Sequence, residues 1–263
     1  MARWRTDIKA DPKRFAEEST PAFILDRRHS SWRWAVRLVL AGKIFKLSEP
    51  FPLNQLAQKL EGFRVEKEDE QSKQMLITEV KDMEINENSV SGRVSKDEMY
   101  MVRQRDELKP VLRTVNAPFV FRQINEQVFL LVLEKKRRAN EIANDLSRIL
   151  FLRPGHIIEA RIKPEVMEKY YESSFEDARI IFFDQVDIPN VEKMALYGSA
   201  LADTDLYHDY LKHGRLWYIV VQSKTKGFIV GITRNCVVTV FSNSAPSDLV
   251  QYSFEEVVPL TLE

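Results

Sequence analysis

The chain has 263 residues, 44% of them hydrophobic and 30% charged, with 39 Lys or Arg balanced by 39 Asp or Glu. That composition is ordinary for a soluble globular protein, the balanced charge argues neither for nor against nucleic acid, and the length holds one large domain or two modest ones. The lone Cys236 excludes an internal disulfide, and eight glycines leave little scope for phosphate-cradling glycine loops.

No apolar run approaches the roughly 18 residues of a membrane span, and the charged N-terminus is no secretory signal. The expectation is a cytoplasmic protein without membrane contact, its one thiol reduced in an apolar run.

Residues 1–62 read as an N-terminal basic helical segment. From 1 to 46 there are eleven Lys or Arg against five Asp or Glu, a net of +6. Ser30-Ser31 cap a helix through Trp32, Trp34, Val36 and Leu38 that ends near Gly42. Arg27, Arg28, Arg33 and Arg37, with Arg3 and Arg5, are candidates for meeting an acidic partner or nucleic acid. The plainer alternative makes Trp4, Trp32 and Trp34 core anchors and the arginines their solvated flanks. After Pro50-Phe51-Pro52, a short helix over Leu53 to Leu60 closes at Gly62.

Residues 63–154 form a first β-rich half. Glu66-Lys67-Glu68-Asp69-Glu70 reads as a solvated loop. Strands follow at Met75–Val80, Val90–Val94, Met99–Arg103, Val111–Val115 and Ala117–Phe121, with turns at Asn86-Glu87-Asn88 and Arg105-Asp106-Glu107. Val128 to Leu133 is six apolar residues in a row, the pattern of a strand buried on both faces. It runs into a helix from Glu134 to about Leu152, where Ala139, Ile142, Ala143, Leu146, Ile149 and Leu150 make one apolar stripe. Arg153-Pro154-Gly155 stops it.

Residues 155–263 form a second α/β half. A strand from His156 to Ile162 leads to a helix with Pro164 in its first turn, then to a strand over Ala178–Val186. Residues 189–214 read as a partly helical insertion. Leu216–Gln222, Phe228–Thr233 and Cys236–Phe241 make a meander, and Ser247-Asp248 start a final helix to about Val258. The fold class expected is α+β with mostly antiparallel sheets, in two related halves of strand-helix-four strands-helix order behind an N-terminal helical extension. This element order resembles that of proteins shaped like the TATA-box-binding protein. No residue-level repeat accompanies it, and element order does not fix function.

Three constellations bear on chemistry. Lys135, Lys136, Arg137 and Arg138 crowd the first turn of a helix, where the macrodipole disfavours cations but favours phosphate. Over 134–163 there are eight Lys or Arg against four Asp or Glu, a net of +4. The competing reading is a solvated turn neutralised by nearby carboxylates. Over 165–209 the balance reverses to eleven acids against three bases, a net of −8. Asp184, Asp187, Asp203, Asp205, His208, Asp209 and His213 carry the oxygens and nitrogens that hold Mg²⁺ or Mn²⁺ for phosphodiester hydrolysis. They equally suit a solvated insertion, since the Asp203-Thr204-Asp205 run lacks the Gly and Glu of a calcium loop. Glu79-Val80-Lys81 has the Glu-x-Lys spacing of some metal-dependent nucleases without an upstream Asp on a strand. Tyr197, Tyr207, Tyr210, Trp217 and Tyr218 are candidates for stacking bases if exposed, and for core packing if not.

The function expected is a non-catalytic binding or assembly module, without cofactor, that contacts nucleic acid or an acidic protein surface. Lys135, Lys136, Arg137, Arg138, Arg27, Arg28, Arg33 and Arg37 are its contact residues. The alternatives are a metal-dependent phosphodiesterase using the Asp cluster and a protein–protein scaffold that ignores nucleic acid.

Overall fold

A computed structural model describes residues 39–263 apart from 71, 174–178 and 224. In chain order its elements are β1 (Leu40–Leu47), α1 (Leu53–Leu60), β2 (Arg64–Glu68), β3 (Met75–Ile85), β4 (Ser89–Gln104), β5 (Glu107–Ile124), β6 (Gln127–Val132) and α2 (Lys136–Phe151). The second part of the chain adds β7 (Ile157–Glu159), α3 (Pro164–Glu172), β8 (Ile180–Asp184), β9 (Met194–Tyr197), α4 (Asp205–His213), β10 (Arg215–Gln222), β11 (Ile229–Thr233), β12 (Val237–Val240) and α5 (Pro246–Tyr252). The fold is therefore α+β, with one antiparallel sheet of twelve strands ordered β2-β3-β4-β5-β6-β1-β12-β11-β10-β8-β9, and β7 paired to β1.

The run at 128–132 is buried throughout, as its lack of alternation predicts. Neighbouring residues on a strand point to opposite faces, and the two central strands feed two separate cores. Phe45, Leu47, Leu130 and Val132 pack with Leu56, Ala57, Ala143 and Leu146 of α1 and α2. Ile44, Phe129 and Leu131 pack with Met167, Tyr171, Tyr207, Leu249 and Tyr252 of α3, α4 and α5. The helices of the first part thus cover one face of the sheet and those of the second part cover the other. Among the described residues only β6 and β1 are sandwiched, and no described helix covers the second face of either outer wing.

Gly42 lies in this sandwich because nothing larger fits. A Cβ there would come within 2.9 Å of Leu131 Cδ1 and 3.5 Å of Leu249 Cδ2. The expected helix ending near Gly42 is overturned over its last residues: Leu40–Leu47 is a central strand, hydrogen-bonded to β12 and β6 on its two edges. Its residues 30–38 lie outside the described residues. Leu40-Ala41-Gly42 continues a long apolar run, so periodicity alone reads it as helix; pairing along both edges decides for strand.

Two further expectations are corrected. Arg64–Glu68 is a strand, fully exposed, where composition predicts a loop over Glu66–Glu70; pairing with Met75–Glu79 supplies what composition does not. The separate strands expected between Val90 and Phe121 are a single long hairpin, in register from Ser89↔Arg122 to Gln104↔Glu107. The helices at Leu53–Leu60 and after Pro164, and the three-strand meander, stand where the residue pattern puts them.

Candidate nucleic-acid interface

The four basic residues that open α2 diverge. Arg138 turns back to the sheet, donating to Glu98 (3.0 Å) and to the Tyr100 hydroxyl (2.9 Å), and these partners hold its guanidinium protonated still more firmly than usual. It braces the long hairpin and is not free for a ligand. Arg137 stands 94% exposed, with only Glu141 one turn away at 3.2 Å. Lys135 is the residue before the first turn, exposed and extended, and it caps nothing with its side chain. Lys136 alone of the four lines a groove. Arg27, Arg28, Arg33, Arg37, Arg3 and Arg5, like Trp4, Trp32 and Trp34, lie outside the described residues.

The groove encloses about 580 Å³ and draws its lining from five stretches far apart in sequence. Lys136 comes from the start of α2, and Glu159, Arg161 and Lys163 from the segment joining β7 to α3. Asp184 ends β8, and Arg234 sits in the β11–β12 turn. Four cations face two carboxylates, a net of +2. Both carboxylates are already engaged. Asp184 accepts from Arg234 at 2.5 Å. Glu159 accepts from Lys43, a fully buried lysine on β1 that also donates to Asn140 at 2.6 Å. Burial pulls the Lys43 ammonium below its ordinary pKa, and Glu159 partly opposes this. Because Glu159 serves Lys43, it does not neutralise the groove wall. Lys136 and Arg161 have no ion-pair partner among the described residues, and Lys163 reaches only the backbone oxygen of Glu263. The N-terminal ends of two helices, α2 at Lys136 and α3 at Lys163-Pro164, add their partial positive charge to the same hollow.

Trp217 joins this groove to an aromatic surface. A register shift at Leu216/Tyr218 sets Trp217 between two core-facing rungs of β10. Its ring lies 5.9 Å from Phe182 and 5.8 Å from Tyr218, and Phe182 lies 5.9 Å from Tyr197. Lys193 sits over the Trp217 ring at 5.1 Å. Ile181, Phe183 and Ile219, which alternate with these residues, face the core under α3–α5, so the aromatics occupy the wing face that carries no helix among the described residues. Tyr218 lies flat across β11 because position 231 is glycine; a Cβ there would stand 2.9 Å from its ring. Partial burial pushes the Tyr218 phenol up to about 12, so it is neutral at physiological pH. Tyr197 is 66% exposed and ends the platform. Tyr207 belongs to the core instead, and Tyr210 packs beside it at the core's edge.

The acidic residues do not gather. Asp187 pairs with His213 at 2.8 Å and Asp209 with Lys212 at 2.7 Å, which holds the Asp209 carboxyl below its usual range. Asp203 and Asp205 flank Thr204, whose hydroxyl caps α4 through the Tyr207 amide. No three His, Cys, Asp or Glu side chains converge on one point among the described residues. Glu79 and Lys81 pair with each other on β3, and Glu79 also accepts from Arg64. Cys236 is buried, with its thiol pushed up to about 12 by desolvation, and is no nucleophile at neutral pH.

Sequence reasoning missed Arg161, Lys163, Lys193, Arg234 and Phe182. Each is a single residue in a strand, a turn or an irregular connection, and nothing in local spacing announces that these segments meet. Among the described residues, no helix is long and apolar enough to cross a membrane. No protein-family model and no curated protein matches the chain.

Proposed function

We propose that the protein is a non-catalytic binding module for single-stranded nucleic acid. Phosphates sit in the groove of Lys136, Arg161 and Lys163, and bases lie against Trp217 and Tyr197. The observation that carries this reading is the continuity, through Trp217, of a hollow whose Lys136 and Arg161 lack an ion-pair partner among the described residues and an aromatic face that no described helix covers. Backbone charge supplies sequence-independent affinity, and aromatic rings accept any base because every base has a π-face. An acidic protein segment satisfies the cations but leaves the aromatic face unused, so nucleic acid is the better fit. Arg137 and Arg138 have no part in this contact, since one projects into solvent and the other braces the sheet.

Fluorescence anisotropy with labelled single strands, at low and at physiological salt, tests the proposal. Replacing Lys136, Arg161 and Lys163 by Ala lowers the log–log salt slope by about 2, at roughly 0.7 for each phosphate no longer neutralised. Trp217→Ala weakens binding by about 1–3 kcal/mol with the salt slope unchanged. Absence of binding at low salt, or a triple variant that binds like the parent, overturns it.

A further inference from the structure

Among the described residues Lys43 is the one lysine wholly buried. It stands on β1 two residues before Phe45, so both side chains share one face of the sheet, and its ammonium lies 5.1 Å from the Phe45 ring. Glu159 on β7 is the rung partner of Phe45, which brings its carboxylate to the same ammonium. Asn140, one turn along α2 from Lys136, accepts from Lys43 at 2.6 Å. The ammonium is thus set beside the first turns of α2, behind the wall that Lys136, Glu159 and Arg161 give the groove.

Glu159 therefore has cations on two sides. Lys43 lies behind it, and Lys136 and Arg161 line the groove in front. Its carboxylate pairs with the first and with neither of the others, although Arg161 follows it by only two residues. Burial decides the competition. Lys136 and Arg161 are exposed and solvated by water, whereas an ammonium at 0% exposure loses its whole hydration and must be paired.

We infer, resting on the anion site proposed above, that Lys43 is a positioning residue for that site: it withholds Glu159 from Lys136 and Arg161 and keeps both open to phosphate. It does so without touching the ligand, since it is enclosed by β1, β7 and α2. Without the ammonium, Glu159 becomes an internal anion beside two unpaired cations. A phosphate must then displace that carboxylate or forgo one contact. Lys43 thereby sets the affinity of the groove from behind its wall.

Two probes on the full chain test this: inorganic tripolyphosphate followed by calorimetry, and a labelled single strand followed by anisotropy. The Glu159 side chain is 34% exposed, so water receives its charge when Lys43 is gone and Lys43→Met keeps the fold, as urea unfolding checks. Lys43→Met weakens both probes by at least about fivefold and lowers the log–log salt slope of the strand by about 0.7. Adding Glu159→Gln to it restores affinity and slope to the parent's, a rescue that lost packing does not give. Glu159→Gln alone binds at least as tightly as the parent, which tests the same point should Lys43→Met fail to fold. Lys43→Met binding like the parent overturns the inference, as does a loss that persists in the double variant or a Glu159→Gln chain that binds more weakly. A parent that binds tripolyphosphate but no strand removes the nucleic-acid reading alone, and the variants then decide on tripolyphosphate. A parent that binds neither probe overturns both.

Discussion

The centre of the sheet and the two-stranded arm of Asp97–Gln104 and Glu107–Thr114 are built from the same antiparallel ladder and differ in almost everything else. At the centre, β6 and β1 have side chains buried on both faces, Ile44, Phe129, Leu130 and Leu131 all at 0% exposure. In the arm, Met101 and Leu108 are more than half exposed. Backbone pairing alone does not separate the two. What separates them is the pair of helical layers on opposite faces, which overlap only above and below β6 and β1. Stability belongs to that overlap, and the wings and the arm keep exposed apolar and aromatic side chains.

Substitution at the two regions sharpens the contrast. Leu131→Ala opens a cavity among well-packed neighbours and lowers the unfolding free energy by about 3–5 kcal/mol in urea titrations. Leu108→Ala in the arm stays within about 0.5 kcal/mol. Equal losses at the two positions break the comparison.

The polar part of the centre gives the next largest effect. Glu159→Gln leaves the Lys43 ammonium buried with only Asn140, and costs about 3 kcal/mol. Lys43→Met in the same background recovers most of that loss, because no charge then remains to be buried. If the double change is worse than the single one, the ion pair is not the source of the cost.

Alkaline pH probes the same seam through Cys236, whose thiol is pushed from 9.0 to about 12. The unfolded chain releases this proton near its ordinary pKa of 9.0 while the folded chain keeps it. The stabilisation is therefore complete below that pH and is lost as pH rises toward the folded value, by up to about 1.4 kcal/mol per unit. Cys236→Ala flattens the decline measured by urea unfolding above the ordinary thiol pKa. A slope identical to the parent's refutes the assignment.

The smallest effect expected is at Arg137. Its Ala variant changes stability by less than about 0.5 kcal/mol, since its one ion pair is a solvated helix contact. It also leaves oligonucleotide affinity near that of the parent, while Lys136→Ala one position earlier reduces it. The density of charge at 135–138 marks one turn of the chain without distinguishing these neighbours. They differ in direction around a helix axis, and direction acquires meaning only when something stands on one side.

Much of the fold is legible in residue order. The apolar run at 128–132, the stripe from Ala139 to Leu150, Pro164 in a first turn and the meander after Leu216 each carry a local signal strong enough to survive folding. β1 and β2 are not legible. Leu40–Leu47 mixes two lysines and a glycine into an apolar run, and Arg64–Glu68 is as polar as a loop. Both are strands because neighbours from distant parts of the chain offer a ladder.

By itself, then, the sequence determined the class of elements, their order and the place of the densest basic turn, because hydrophobic period and turn chemistry act over a few residues. Tertiary structure decided which faces stay open. It committed Glu159 to Lys43, Asp184 to Arg234 and Arg138 to Glu98, and so chose which charges were left unpaired. It also assembled one groove from 136, 161, 163 and 234. Those outcomes depend on long-range pairing and on which side of the sheet each helix covers, and no short window of residues encodes either.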